Sequence, residues 1–244
     1  TVLRLIARGV DAAAATPLEI DTRDHAKLPP LAAAALGTIP IFLIVAVFAG
    51  SMNLAIDTTA GERERRSLEP LLLHPVSSWA LASGKWLATF TAGAVSVVGM
   101  LVFLRLVFEL PALQKLPVRV VLAWQQLGHL ALLLVPLAAL AAVAQLVLAL
   151  IGKNFKEAQT YLSMLLLAPM VPGFLFAFGA AEPSPFLRAL PLTGHHLLAK
   201  SILEGGALAP AVAVQLSLAC AAATLVLLGL LSWLLQRESV LRAG

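Results

Sequence analysis

The sequence predicts an all-α polytopic membrane protein with five transmembrane helices. Its composition is 60% hydrophobic and 12% charged, with a mean hydropathy of +0.92, whereas soluble domains carry about 25% charged residues. Five apolar stretches are long enough to cross a hydrocarbon layer of about 30 Å as helices. The alternating segments of about ten residues that mark a membrane β-barrel are missing. These observations exclude a water-soluble fold and favour helices as the spanning elements.

The five apolar stretches define the predicted spans. Each is hydrophobic all round, which is typical of a helix that faces both lipid and neighbouring helices. Apart from Lys85, which we count as the flank of the second stretch, they contain no Lys, Arg, Asp or Glu. The spans are predicted at residues 33–56, 81–104, 127–151, 161–181 and 208–235.

Prolines lie inside several of these spans. Pro40 and Pro136 are expected to kink their helices, because a proline removes one backbone donor. Pro169, Pro172 and Gly173 together are expected to break the fourth span. Pro and Gly are frequent in transmembrane helices, so these positions favour packing kinks over a substrate site.

The remaining segments are assigned by topology. Residues 1–32 read as the end of an extracytoplasmic segment, and residues 33–244 as the transmembrane domain. Segment 57–80 is the predicted cytoplasmic loop, and segment 182–207 is an external loop with a short helix that dips into the outer leaflet. Segment 57–80 with Lys85, the turn at 152–159 and the tail after residue 236 share one side of the membrane and carry eight basic residues. The loops on the opposite side carry five, so the positive-inside rule places the first group in the cytoplasm. The eight are Arg63, Arg65, Arg66, Lys85, Lys153, Lys156, Arg237 and Arg242.

The loop after the first span carries paired charges and a leucine face. Thr59 followed by Glu62 fits a capping box, and Glu62 with Arg66 fits an i,i+4 ion pair, so a short surface helix is expected here. A second helix start is indicated at Pro70. Leucines at helical spacing would then form an apolar face suited to a groove on another protein, although such a loop also suits an interfacial anchor. These leucines are Leu68, Leu71 and Leu72.

Two segments resemble a known family. Residues 59–77, Thr-Ala-Gly-Glu-Arg-Glu-Arg-Arg-Ser-Leu-Glu-Pro-Leu-Leu-Leu-His-Pro-Val-Ser, followed by Gly-Lys-Trp at 84–86, strongly resemble the first cytoplasmic loop of type-2 ATP-binding-cassette (ABC) permeases. The resemblance is specifically to the NatB-like sodium-exporter branch. Residues 152–159, Gly-Lys-Asn-Phe-Lys-Glu-Ala-Gln, are similar to the second cytoplasmic loop of that family.

The resemblance implies a six-helix permease subunit of an ATP-driven exporter in a bacterial cytoplasmic (inner) membrane. This chain would then cover helices two to six and the end of an extracytoplasmic domain, with an upstream piece missing. A second permease subunit would complete the translocation path, and a separate nucleotide-binding subunit would dock under the first loop. ATP and magnesium would bind that partner, because no Gly-x-x-x-x-Gly-Lys-Ser/Thr phosphate loop occurs here.

The resemblance also implies the residues that couple the permease to the ATPase. In the first loop these are Gly61, Glu62, Arg63, Glu64, Arg65, Arg66, Leu68, Glu69, Leu71 and Leu72. In the second loop they are Lys153, Phe155, Lys156 and Glu157.

Polar residues within the spans are candidates for a translocation path. Such groups at membrane depth either face a cavity or hold helices together. The resemblance favours sodium as the substrate, yet the spans offer no acidic ligand, so a hydrophobic drug, peptide or lipid is the alternative. The candidate path residues are Asn53, Gln145, Ser163 and Gln215.

Other classes of function are weighed against the transporter. An intramembrane hydrolase needs a constellation such as Gly-x-Ser-x-Gly or His-Glu-x-x-His, which the sequence lacks. His195 and His196 are adjacent and are expected to be interfacial or capping residues, and the one cysteine, Cys220, builds no metal cluster. We therefore expect no enzyme and no cofactor on this chain. The scattered basic residues give no nucleic-acid surface, and a non-transporting membrane scaffold stays open as a further alternative.

Overall fold

A computed structural model describes residues 30–67, 75–111, 122–177, 184–206 and 208–242, and the regular elements within these ranges are helices. Five helical runs are long and apolar enough to cross a membrane, which confirms the predicted fold class. These runs are Gly37–Glu64, Ser78–Phe108, Trp124–Ile151, Phe155–Phe176 and Pro210–Arg237. The helices are α1 (Pro30–Ile56), α2 (Ser78–Phe108), α3 (Trp124–Ile151), α4 (Phe155–Leu165), α5 (Met170–Ala177), α6 (Pro185–Ala189), α7 (Pro191–Leu203) and α8 (Pro210–Arg242).

Helix α3 lies at the centre of the bundle. It packs against α1, α2, α4, α7 and α8, and its most apolar stretch is the most deeply buried of the five spans. Leu134, Leu137, Ala138 and Ala141 of this helix are fully buried. Alternating large and small side chains let helices approach closely, and close packing is what holds helices together in lipid.

The bundle has two ends that the apolar contacts define. Ile56, Ala82, Leu150, Ala158 and Leu235 belong to one buried cluster, so the end of α1, the start of α2, the end of α3, the start of α4 and the later part of α8 lie together. We call this the Glu62 end. The other cluster joins Leu104, Leu122, Leu127, Leu203 and Leu216, and we call it the Leu122 end. Spans that alternate in direction must produce this grouping.

The prolines of the spans lie in different backbone surroundings, and the break predicted in the fourth span is confirmed. Pro40 and Pro136 lie inside continuous helices. The fourth span breaks at 166–169, where turns with i→i+3 hydrogen bonds replace the helical ladder. Glycine at position 173 allows the fourth span to pack closely on α1, because a Cβ there would lie 2.4 Å from Ile41 Cγ1.

The helix of the first span runs further than the sequence predicts. It continues through a π-helical turn at Asp57–Gly61 and a last turn at Glu62–Glu64. The loop therefore begins after residue 64 and not after residue 56 as predicted. The capping box is wrong, because Thr59 Oγ1 donates to the Ala55 carbonyl at 2.6 Å, within its own helix. Arg66 ends the segment with a φ of 55°.

The whole predicted leucine face falls on residues 68–74, which lie outside the described residues. This applies to Leu68, Glu69, Pro70, Leu71 and Leu72.

Segment 182–207, which the sequence predicts to be external, contains the expected short helix. Helix α7 packs against α1 and α3, and Gln126 Nε2 of α3 donates to the Ile202 carbonyl at 3.5 Å. The interpretation of His195 and His196 as interfacial or capping residues is wrong, because both are fully buried. His195 Nδ1 contacts the Pro191 carbonyl of its own helix, and the His196 ring stacks on Phe176.

Candidate coupling site

The side chains of Glu62, Arg63 and Glu64, which we call the Glu-Arg-Glu turn, each contact a different helix. Successive residues of a helix point about 100° apart, so three in a row can reach three neighbours. The π-helical turn before them matters as well, because it inserts one extra residue and so rotates the residues that follow around the helix axis. Local backbone geometry thus sets the direction of each of the three side chains.

Glu62 pairs with Lys85 in the first turns of α2. Glu62 Oε2 lies 2.5 Å from Lys85 Nζ, which also donates to the Thr58 carbonyl. Lys85 is 7% exposed, and a buried ammonium needs an anion and hydrogen-bond acceptors. The pair replaces the predicted contact of Glu62 with Arg66, and it makes Lys85 a buried part of the second span rather than its flank.

Arg63 binds the end of α3. Its two terminal nitrogens donate to the Gly152 carbonyl at 2.5 Å and to the Leu150 carbonyl at 2.6 Å. The last carbonyls of a helix have no partner within it and carry the negative end of its dipole. A guanidinium with fixed parallel donors suits two such carbonyls.

Glu64 binds the start of α4. Its Oε1 accepts from the Phe155 amide at 2.6 Å. Asn154 caps the same helix by accepting from the Glu157 amide at 2.8 Å, and Glu157 in turn accepts from the Lys153 amide. Carboxylates and caps at this position satisfy free amides and match the positive end of the helix dipole.

Two glycines of this site have little space for a side chain. A Cβ at Gly152 would lie 2.8 Å from the backbone nitrogen of Ala158, so only glycine fits without a backbone shift. At Gly61 a Cβ would lie 3.1 Å from Asp57 Oδ1, where an ion pair of 2.8 Å joins Asp57 to Arg65. Gly152 therefore serves the close approach of α3 and α4, whereas Gly61 lies beside side chains of its own turn.

The structure thus brings together the two segments that carry the family resemblance. Around the Glu-Arg-Glu turn lies an exposed surface, which we call the basic face. Phe155 is 39% and Ile151 55% exposed there, an apolar patch with cations beside it. The exposed cations are Arg65, Arg66, Lys153 and Lys156. Lys85 is the residue that the sequence interpretation missed, and its signal was a single charge inside an apolar stretch.

The candidate path residues are not gathered in one place within the subunit. Gln145 is fully buried, and its amide is engaged at both ends: Nε2 donates to the Phe48 carbonyl at 2.6 Å and Oε1 accepts from Ser51 at 2.7 Å. It fastens α3 to α1. Exposed positions are found for Asn53 on α1, Ser163 on α4 and Gln215 on α8. Within the described ranges, no three His, Cys, Asp or Glu residues are grouped to hold a metal ion.

Comparison with known proteins gives the family. The profile of the ABC-2 family transporter protein matches residues 5–234. The chain belongs to the ABC-2 transporter family. This ABC-2 chain is 34% identical over 210 residues to the ABC transporter permease protein NatB of Bacillus subtilis (strain 168), with 83% of this chain and 53% of NatB covered. The chain spans about half the length of that curated relative. No solved structure matches this chain.

Proposed function

We propose that this chain is the permease subunit of an ATP-driven ABC exporter in a bacterial cytoplasmic (inner) membrane. It would move substrate by alternating access, together with a second permease subunit and a separate ATPase subunit that binds ATP and magnesium. ABC-2 membership and the five spans support a membrane transport role. The observation that carries the coupling role is the contact of Glu64 with the Phe155 amide, since it makes one structural unit of both loops.

The basic face is the proposed docking surface for the ATPase subunit. Phe155 supplies apolar area for burial, and its cationic neighbours orient an acidic partner surface. The surface lies at the Glu62 end, the end whose predicted side is the cytoplasm, where ATP is available. Movement of the docked ATPase would then reach α1, α3 and α4 through the helix ends that meet there.

The substrate is proposed to be sodium, with a hydrophobic drug, peptide or lipid as the second candidate. The buried hydroxyls and amides of the described spans are neutral, among them Ser51, Thr89, Gln145 and Ser232. Sodium would require oxygen ligands, which these groups and backbone carbonyls can supply. The absence of a buried carboxylate among the described span residues favours the second candidate. We propose the exposed polar residues Asn53 and Ser163 as the wall of a path between two subunits, and Gln145 as a packing contact.

The proposed function predicts that Phe155→Asp weakens the ATPase subunit's retention by about tenfold, because it places a charge in an apolar contact. The complete permease is co-purified with its ATPase subunit and reconstituted in vesicles, where ATP-driven uptake of sodium is compared with uptake of a fluorescent amphiphile. Phe186→Asp is the matched control, since Phe186 is 72% exposed on α6, at the opposite end.

Transport that needs ATP and the ATPase subunit supports the assignment, and the preferred cargo decides between the two substrates. Retention and transport unchanged by Phe155→Asp would remove the basic face as the docking surface. Vesicles that move neither cargo with ATP would contradict the exporter itself and favour a non-transporting scaffold.

A further inference from the structure

The side chains of the Glu-Arg-Glu turn are each bonded to another helix of the same subunit. Glu62 contacts Lys85, Arg63 contacts the last carbonyls of α3, and Glu64 contacts the Phe155 amide, at distances between 2.5 and 2.6 Å. Each of these contacts is direct, and each has a charged donor or acceptor, which makes such hydrogen bonds stronger than neutral ones. These three charges, which the sequence assigns to docking, are therefore engaged with other helices of the same subunit.

We propose that the Glu-Arg-Glu turn is an internal joint that positions α2, α3 and α4 on the end of α1. Its three residues are positioning residues: they make the four helix ends move together when the ATPase subunit docked on the basic face moves. The inference rests on the proposed function, because it assigns how force from the ATPase subunit spreads through the permease. Docking itself is left to the basic face.

The pair of Glu62 and Lys85 differs from the other two contacts of the joint, which bind backbone groups at helix ends. Lys85 is almost fully buried, so loss of the Glu62 charge would leave a buried ammonium without its anion. Lys85 also donates to the Thr58 carbonyl in the π-helical turn. One ammonium thus fastens α2 both to that turn and to the Glu-Arg-Glu turn that follows it.

A double-substitution cycle tests this joint in the complete permease assembled with its ATPase subunit. The variants are Glu62→Gln, Lys85→Met and the two combined, and the readout is substrate moved per ATP hydrolysed. We expect each single variant to lower this ratio by about tenfold, and the combined variant to be no worse than either single one, because paired residues are non-additive. The ATPase subunit should still co-purify with each variant.

The matched control is Glu109→Gln, which removes the carboxylate of an ion pair with Arg105 on the same helix α2 but at the Leu122 end. It should leave the ratio of substrate to ATP unchanged. The thermal midpoint of the isolated permease is measured for every variant, because it reports the pair without any transport. A thermal midpoint that falls in both single variants, and no further in the combined variant, supports the contact between Glu62 and Lys85.

Three results would overturn the joint. The single variants could keep the normal ratio, their losses could multiply in the combined variant, or they could release the ATPase subunit with an unchanged thermal midpoint, which would place Glu62 at the partner. A complex of the unsubstituted chain that moves no substrate is a different result. It contradicts the proposed function and the transmitting role, while the thermal cycle still decides whether the turn holds the helix ends.

Discussion

Gly152 illustrates how one residue decides whether two helices can be joined. The residue follows the last turn of α3, accepts a hydrogen bond from Arg63 through its carbonyl, and lies against the Ala158 backbone of α4. Its φ of −61° and ψ of 130° are open to any residue. The requirement for glycine therefore comes from space and not from backbone conformation.

At the residue scale we predict that Gly152→Ala destabilises the permease by about 1–3 kcal/mol, the range for overpacking at a site that cannot yield. The added methyl group would meet a backbone nitrogen at 2.8 Å, so α3 and α4 must separate. Thermal unfolding in detergent measures the loss. Gly99→Ala is the control: its Cβ meets nothing within 4 Å, and alanine in a helix interior should raise stability by about 0.5–1 kcal/mol. Equal thermal midpoints for the two variants would show that the contact between Gly152 and α4 can yield to an added methyl group.

At the scale of single elements, α7 is the helix whose surroundings are least like those expected from its sequence. Its segment is rich in polar residues and prolines, yet it packs against α1 and α3 with His195 and His196 buried. Helix α7 lies outside the five spans. Burial lowers the pKa of both histidines, and for His196 burial followed by the nearby Lys200 charge lowers the pKa to about 4.

The lowered pKa of the histidines predicts an acid-sensitive bundle. Above a pH of about 6.5 the imidazoles are neutral in both folded and unfolded chains, so their contribution to stability is complete. As the pH falls from about 6.5 toward about 4, the unfolded chain binds protons that the folded chain does not, and stability is lost. The thermal midpoint should fall across this window, and His196→Phe should reduce the fall. A midpoint with the same pH dependence in that variant would contradict a neutral buried His196.

At the scale of the whole molecule, the five spans fix which segments share a side of the membrane. The Glu62 end gathers the end of α1, the start of α4 and the later part of α8, and α6 lies in the segment predicted to be external. This grouping follows from hydrogen bonds and packing within the chain. It is independent of the count of basic residues.

The arrangement predicts a labelling pattern for single cysteines introduced into the complete permease. Ser67→Cys, Asn154→Cys and Ser239→Cys should react with a membrane-impermeant thiol reagent from the cytoplasmic side, and Ser184→Cys from the opposite side. Cys220 is buried, so its background should be low. If cysteines at 67 and 184 were labelled from the same side, the three spans between these two residues could not all be correct.

The sequence by itself determined the fold class and the number of spans. Apolar stretches of about 20 residues are sufficient for this, because backbone groups in lipid must be satisfied within a helix. It also determined the break near Pro169, since a proline acts on its own helix. These features depend on residues close together along the chain.

The tertiary structure decided which groups the charged turn contacts. The pattern of Glu62 and Arg66 predicted a local ion pair, but Lys85 lies 23 positions away from Glu62 along the chain, and only the packing of α2 against α1 brings it within reach. In the same way Arg63 and Glu64 reach helix ends 87 to 91 residues away. Spacing rules describe neighbours on one helix, whereas a buried charge takes its partner from the neighbouring helices, because an unpaired charge there is far more costly than a solvated one.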